Sequence, residues 1–156
     1  MATKIYGKIL VPVDGSETSA KGLQEAIKLA KALGSKLCLV HVVDELIIDY
    51  SAGLAGGAPF SGDVIEGLRE GGKAILAKAE ATVRKSKLEP KGVLLEAIGG
   101  HSAHLIVAQA QEWGANLIVM GTHGRRGIRR LALGSDAEQV IRTSSVPVLL
   151  VRSAPE

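Results

Sequence analysis

The residues with the most chemistry to offer stand together between Gly121 and Ser135, in the run Gly-Thr-His-Gly-Arg-Arg-Gly-Ile-Arg-Arg-Leu-Ala-Leu-Gly-Ser. Glycine accepts positive φ and lets backbone come close to a ligand. Gly121 is followed three residues later by Gly124, and nine residues then separate Gly124 from Gly134-Ser135, where helical spacing begins. The first amides of a helix lack internal partners, and the helix dipole is positive there. Free amides, a hydroxyl, close approach and the cations Arg125, Arg126, Arg129 and Arg130 are the parts of a phosphate cradle. Arg125, beside Gly124, is the foremost phosphate candidate; Arg129 and Arg130, in mid-loop, are expected to face solvent. For His123, phosphate contact and simple support of the loop weigh equally.

The cradle is not a P-loop, because no lysine precedes Ser135, and no Gly-x-Gly-x-x-Gly follows the first strand. Both observations weigh against common NTPase chemistry and nicotinamide cofactors. Ser135-Asp136-Ala137-Glu138 also reads as a Ser-x-x-Glu capping box, which gives Ser135 a purely structural role that can coexist with phosphate binding by the glycine amides.

The elements that must position this loop follow from hydrophobic spacing. Lys8 to Val13 reads as a buried strand. After Asp14-Gly15-Ser16 comes a helix with Leu23, Ile27, Ala30 and Leu33 on one side, ended by Gly34. Strands are expected at Lys36–Val43, Gly92–Ile98, Asn116–Met120 and Pro147–Arg152. Helices are expected around the stripe Ile65, Leu68, Ile75, Ala79 and Val83, at Ser102–Trp113 (with Leu105, Ile106, Gln109 and Trp113 on one face) and at Ser135–Thr143. Residues 44–63, rich in glycine, form a variable loop. The alternation of strand and helix predicts one α/β domain over 1–156, a mainly parallel sheet with helices on both faces. Ligands bind such sheets at the carboxyl ends of strands, where strand order reverses. Asp14, Asp44 and the glycine–arginine loop all follow strands.

Composition narrows the partners. Of a net charge of +3, four positive charges sit in the loop, and without them the chain would be slightly acidic. The basic character is local and points to an anionic ligand. Aromatic residues are 3% of the chain, too few to stack unpaired bases, which argues against nucleic acid. No apolar run approaches the roughly 18 residues a membrane span needs, and the short apolar run after Lys8 is no secretory leader; a cytoplasmic location is expected. The single cysteine, Cys38, lies in an apolar strand and reads as a buried thiol. His101 and His104 read as capping or surface residues in preference to a metal pair, and His41 as a satisfied strand-end histidine. Asp44-Glu45 reads as a solvated turn in preference to a ligand site. Val148-Leu149-Leu150-Val151 would be an apolar edge, and such an edge invites pairing.

The spacing Gly-x-x-Gly, nine residues, Gly-Ser resembles the nucleotide-binding signature of the universal stress protein family. Lys8–Ser16, Leu39–Val43, Ile118–Gly124 and Pro147–Val151 resemble that family's strands, so the resemblance covers nearly the whole chain. It implies a Rossmann-like sheet of five strands in the order 3-2-1-4-5, a homodimer joined through the fifth strand, and a bound adenine nucleotide: ATP, ADP or AMP. It implies that Asp14 accepts hydrogen bonds from ribose, and that Pro12, Val13, Val42 and Met120 line the adenine. Gly121 and Gly124 would admit ribose and phosphate, and Gly134 and Ser135 would hold the phosphate tail with Arg125 nearby. One residue departs from the family: Asp136 stands where a small or apolar residue is usual. Its carboxylate would compete with phosphate, or reach Mg²⁺ or Mn²⁺ carried on it.

The leading expectation is a stress-response regulatory protein that binds adenine nucleotide and changes its contacts with a protein partner, without dedicated catalysis. The alternatives are a slow metal-dependent ATP hydrolase and a nucleotide-free dimeric interaction module.

Overall fold

The computed structural model describes residues 3–44, 62–123 and 132–153. Five strands, β1 (Lys8–Pro12), β2 (Lys36–Asp44), β3 (Pro90–Ala97), β4 (Leu117–Gly121) and β5 (Val148–Val151), alternate with four helices, α1 (Glu17–Leu33), α2 (Gly62–Lys85), α3 (Ser102–Trp113) and α4 (Ser135–Thr143). All the pairings are parallel, and the order is β3-β2-β1-β4-β5, as the sequence led us to expect. Strand order reverses at β1, which pairs Ile9 with Leu37 on one side and with Leu117 on the other.

Alternation along the strands divides the core into two layers. Ile9, Val11, Leu37, Leu39, Leu117 and Val119 face α1 and α2. Leu10, Cys38, Val40, Ile118 and Met120 face α3 and α4. Cys38 is fully buried, as expected, and burial pushes its thiol up to about 11, far from thiolate chemistry at neutral pH. Gly34 ends α1 with φ +67° and Gly114 ends α3 with φ +74°. Among the described residues no helix is long and apolar enough to cross a membrane.

Several boundaries move. Of the expected variable loop 44–63, Asp44 belongs to β2 and Gly62 and Asp63 to α2, and residues 45–61 lie outside the described residues. β3 begins at Pro90 and stops at Ala97, leaving Ile98 77% exposed beyond the sheet. Leu33, the fourth member of the α1 stripe, is exposed at the helix end. The buried residues of α3 are Ser102, Ala103, Ile106, Val107, Gln109 and Ala110, so Ile106 and Gln109 of the expected stripe are buried while Leu105 and Trp113 are half-buried at its edge.

β1 is held at its amino end by polar groups. The Lys8 N–H donates to Asn116 Oδ1 at 2.8 Å, and the Asn116 N–H donates to Lys8 O at 2.8 Å. The Lys8 ammonium donates to Trp113 O at 2.9 Å and lies 5.2 Å from the centre of the Trp113 ring. At the other end the Val13 N–H donates to Val40 O at 2.8 Å.

Helix α1 lies against β4 with no room between. A Cβ on Gly121 would stand 2.7 Å from Thr18 Cγ2 and 2.9 Å from the Thr18 carbonyl carbon and oxygen. A Cβ on Gly22 would stand 3.2 Å from Gly121 N. Gly121 is therefore required by helix–sheet contact whatever a ligand asks of it. Gly121→Ala is expected to destabilise the fold by about 1–3 kcal/mol, since an overpacked core site costs about that much. Equilibrium urea unfolding measures the loss, and a midpoint equal to that of the unsubstituted protein would show that α1 can retreat.

Candidate functional site

β1 and β4 end side by side, and the helices that follow them, α1 and α4, pack on opposite faces of the sheet. The gap over their carboxyl ends opens into a cavity of about 600 Å³. Its wall brings together Pro12, Val13 and Asp14 after β1, Val42 on β2, Met120 and Gly121 on β4, and Gly134, Ser135 and Asp136 at the start of α4. Gly124 and Arg125, together with Arg126, Arg129 and Arg130, lie outside the described residues.

Asp14 is placed by a closed set of local bonds. Its Oδ1 accepts from the Ser16 N–H at 2.8 Å across Gly15, whose φ is +82°. Ser16 caps α1, its hydroxyl accepting from the Ser19 N–H at 3.1 Å, and the Ser19 hydroxyl accepts from the Asp14 N–H at 3.1 Å. An aspartate two residues before a helix cap thus forms an Asx turn that holds its carboxylate at the cavity wall.

On the far side, the Gly134 N–H donates to Thr122 O at 2.8 Å, and the Thr122 N–H donates to Val151 O at 3.0 Å. This bond pins together the two ends of the glycine–arginine segment. The helix that follows corrects the capping box. Gly134, not Ser135, is the cap residue of α4, and it has no side chain with which to bond the first-turn amides. Ser135 is already in the helix, and Glu138 pairs instead with Arg142 at 2.7 Å. Glycine in the cap position leaves the amides of the α4 start to whatever occupies the cavity. Asp136 stands in that same first turn.

The wall includes residues that sequence reasoning undervalued. Asp44, half-buried at the end of β2, lines the cavity and accepts from the Ser102 hydroxyl at 3.4 Å, so it is no solvated turn; Glu45 lies outside the described residues. Its position at a strand's carboxyl end was the available signal. His41 also lines the cavity and is buried. Its Nδ1 lies 2.7 Å from Val13 O, and because a carbonyl only accepts, Nδ1 carries the proton. His123 bonds the Thr122 hydroxyl through Nδ1 at 2.8 Å. His101 occupies the cap position of α3 but makes no side-chain cap bond, and both His101 and His104 are exposed. The early part of α2 supplies Gly67, Leu68 and Gly71. Nothing in the sequence says that α2 reaches over the strand ends. Among the described lining residues there are three carboxylates, Asp14, Asp44 and Asp136, and no lysine or arginine.

Comparison with known proteins agrees with this architecture. Residues 5–152 match the model of the universal stress protein family. A universal stress protein of Bacillus subtilis, YxiE, is 36% identical over 95% of this chain and all of its own length. The universal stress protein MJ0577 of Methanocaldococcus jannaschii is 34% identical over 95% of this chain and 96% of its own. The solved structure of MJ0577 superposes with a TM-score of 0.81, covering 97% of this chain and 99% of that one. A universal stress protein from Archaeoglobus fulgidus, solved in complex with dAMP, is 28% identical with a TM-score of 0.65, covering 95% and 99%.

Asp14 carries both a structural bond and a cavity-facing charge, and two substitutions separate them. Asp14→Ala is expected to cost about 1 kcal/mol by removing the turn's acceptor. Asp14→Asn keeps that acceptor and is expected to stay within about 0.5 kcal/mol of the unsubstituted protein, the range of ordinary surface changes. Urea unfolding compares them; equal losses would show that the charge, not the turn, holds this corner.

Proposed function

Since this chain belongs to the universal stress protein family, we propose that its cavity binds an adenine nucleotide and that the protein is a regulator responding to stress, with no dedicated catalysis of its own. The observation that carries this reading is the cavity at the switch point, with the Asp14 turn on one side and the uncapped start of α4 on the other. A nucleotide has two unlike ends, and these two walls suit them. Asp14 accepts hydrogen bonds from ribose hydroxyls. Pro12, Val13, Val42 and Met120 offer an apolar bed for adenine. Gly121 and Gly124 let ribose and phosphate approach the backbone; the Gly134 amide is held by Thr122 O, so the amides from Ser135 onward at the start of α4, with Arg125, take the phosphates. A relative of the same fold, solved with dAMP, points to the same ligand class.

Asp136 decides how much phosphate is tolerated. A carboxylate in the first turn of α4 repels the anion that the amides attract. Mg²⁺ or Mn²⁺ resolves the conflict, because a hard cation takes carboxylate and phosphate oxygens together; Asp136 would hold it from the protein side. The cation's contribution there is charge neutralisation. A slow hydrolase is the second reading, and the acidic wall favours it over an empty interaction module.

The test is acid extraction of protein purified without added nucleotide, followed by chromatography, mass determination and calorimetry with ATP, ADP and AMP. A stoichiometric adenine nucleotide is expected. In EDTA, Asp136→Val is expected to tighten ATP binding about tenfold or more, the scale of one removed like charge in a partly desolvated site. An empty extract with no calorimetric signal would turn the proposal toward the interaction module, and weaker binding by Asp136→Val would make Asp136 a ligand contact.

We further propose a cytoplasmic homodimer joined along β5. That strand is the last in the sheet, and Leu149 and Ile141 beside it are partly exposed. Apolar edges of this kind are usually covered. Leu149→Arg is expected to convert the dimer to monomer in sedimentation velocity at micromolar concentration; an unchanged sedimentation coefficient would remove this interface.

A further inference from the structure

Helix α2 is continuous, yet its two parts are held very differently. From Gly72 onward it is anchored: Gly72, Leu76, Ala79 and Val83 are buried. A Cβ on Gly72 would meet His41 Cδ2 at 2.9 Å, Leu94 Cδ1 at 3.0 Å and Val43 Cγ2 at 3.1 Å, so the helix is pressed onto β2 and β3 there. Among the described residues before Gly72 in α2 none is fully buried, and neither Ile65 nor Leu68 joins a core cluster of described residues. Among the described residues, one polar side-chain contact ties this part to the rest of the fold. Arg69 on α2 donates through both Nε and Nη2 to the Glu96 carboxylate on β3, the second bond at 3.1 Å. The neighbouring pairs, Arg69 with Glu66 and Lys73 with Glu70, stay within the helix.

The same part is rich in glycine that packing does not require. A Cβ on Gly67 or on Gly71 would meet nothing within 4 Å, although both positions line the cavity. Glycine in a helix interior weakens it relative to alanine, and adjacent small residues are where helices kink. At Gly67 and Gly71 the weakness is uncompensated by any close contact.

We propose that residues 62–71 form a wall of the cavity that opens separately from the rest of α2, hinged at Gly71–Gly72 and latched by the Arg69–Glu96 pair. Arg69 and Glu96 are then positioning residues: neither lines the cavity, and each acts by holding Gly67, Leu68 and Gly71 against it. The latch is exposed, so salt screens it and loosens the wall. That the opening admits a ligand rests on the nucleotide reading above; the hinge itself does not.

Hydrogen exchange followed by mass spectrometry on the full chain, without nucleotide, tests the hinge. Peptides from 62–71 are expected to exchange at least tenfold faster than peptides from 73–85. Glu96→Gln is expected to speed exchange in 62–71 about two- to fivefold, the scale of one exposed ion pair, and leave 73–85 unchanged. The double variant Gly67→Ala, Gly71→Ala is expected to slow 62–71 about tenfold or more. Exchange at one rate along all of α2, or variants that shift both halves together, would overturn the proposal. In stopped flow with ATP, Glu96→Gln is expected to raise the association rate at unchanged thermal stability. If the exchange is split but no nucleotide binds, the hinge stands and the nucleotide reading falls.

Discussion

Helix α1 and strand β4 touch with only hydrogens between them, and the rest of the molecule is arranged around that contact. Gly22 and Gly121 each lack room for a methyl group, and the Thr18 backbone lies against Gly121. The contact ties the start of α1, which carries the Asp14 turn, to the end of β4, which carries the glycine–arginine segment. Thr18 adds a further tie, its hydroxyl lying 2.8 Å from that of Ser153, just past β5. The two walls of the cavity are therefore not independent loops. They are the ends of elements locked to one another beneath it, which is how a site built from loops acquires a defined width.

The described wall of that cavity is acidic, although the chain as a whole is basic. Three carboxylates placed by three different elements make the cavity a poor home for a bare polyphosphate and a better one for a ligand whose charge is balanced. Under the nucleotide proposal, that balance would come from Arg125 or from a divalent cation carried on the phosphates. The acidic residues are held by the fold itself: Asp14 by its turn, Asp44 by Ser102 and Asp136 by the first turn of α4.

Much of this was legible in the sequence. The parallel α/β sheet with helices on both faces, the α1 cap region and the meeting of Asp14 with Gly121 and the Gly134–Ser135 helix start follow from strand–helix alternation, glycine placement and the rule that loops after strands meet at a switch point, whereas the strand order and the apolar cavity residues Pro12, Val13, Val42 and Met120 follow from the family resemblance. The errors have physical causes. The stripe on α3 was drawn through Leu105 and Trp113, whereas the fold buries Ala103, Val107 and Ala110 beside Ile106 and Gln109, and spacing by large side chains gives alanine no weight. The Ser-x-x-Glu box failed at Ser135 because Gly134, bonded to Thr122, takes the cap position one residue earlier. The reach of α2 over the cavity was invisible because helical periodicity fixes which face is apolar and says nothing about how far a helix extends past the strands it covers. Asp44 was misjudged because a carboxylate at a strand end looks the same in sequence whether water or a cavity lies beyond it.

The central strand raises a different matter. Ile9, Leu10 and Val11 are all fully buried, so β1 is apolar on both faces. A half-buried strand resists slipping by one residue because every side chain would change face. β1 has no such protection, since a slip would exchange one buried aliphatic for another. Its register is kept by the polar groups at its ends, where Lys8 and Asn116 bond each other and Val13 meets Val40. A slip of one residue would move Asp14 about 3.3 Å along the strand direction and turn it to the opposite side of the sheet. The clamp at Lys8 lies at the far end of the strand from the cavity, yet it sets the alignment of the residues that line it.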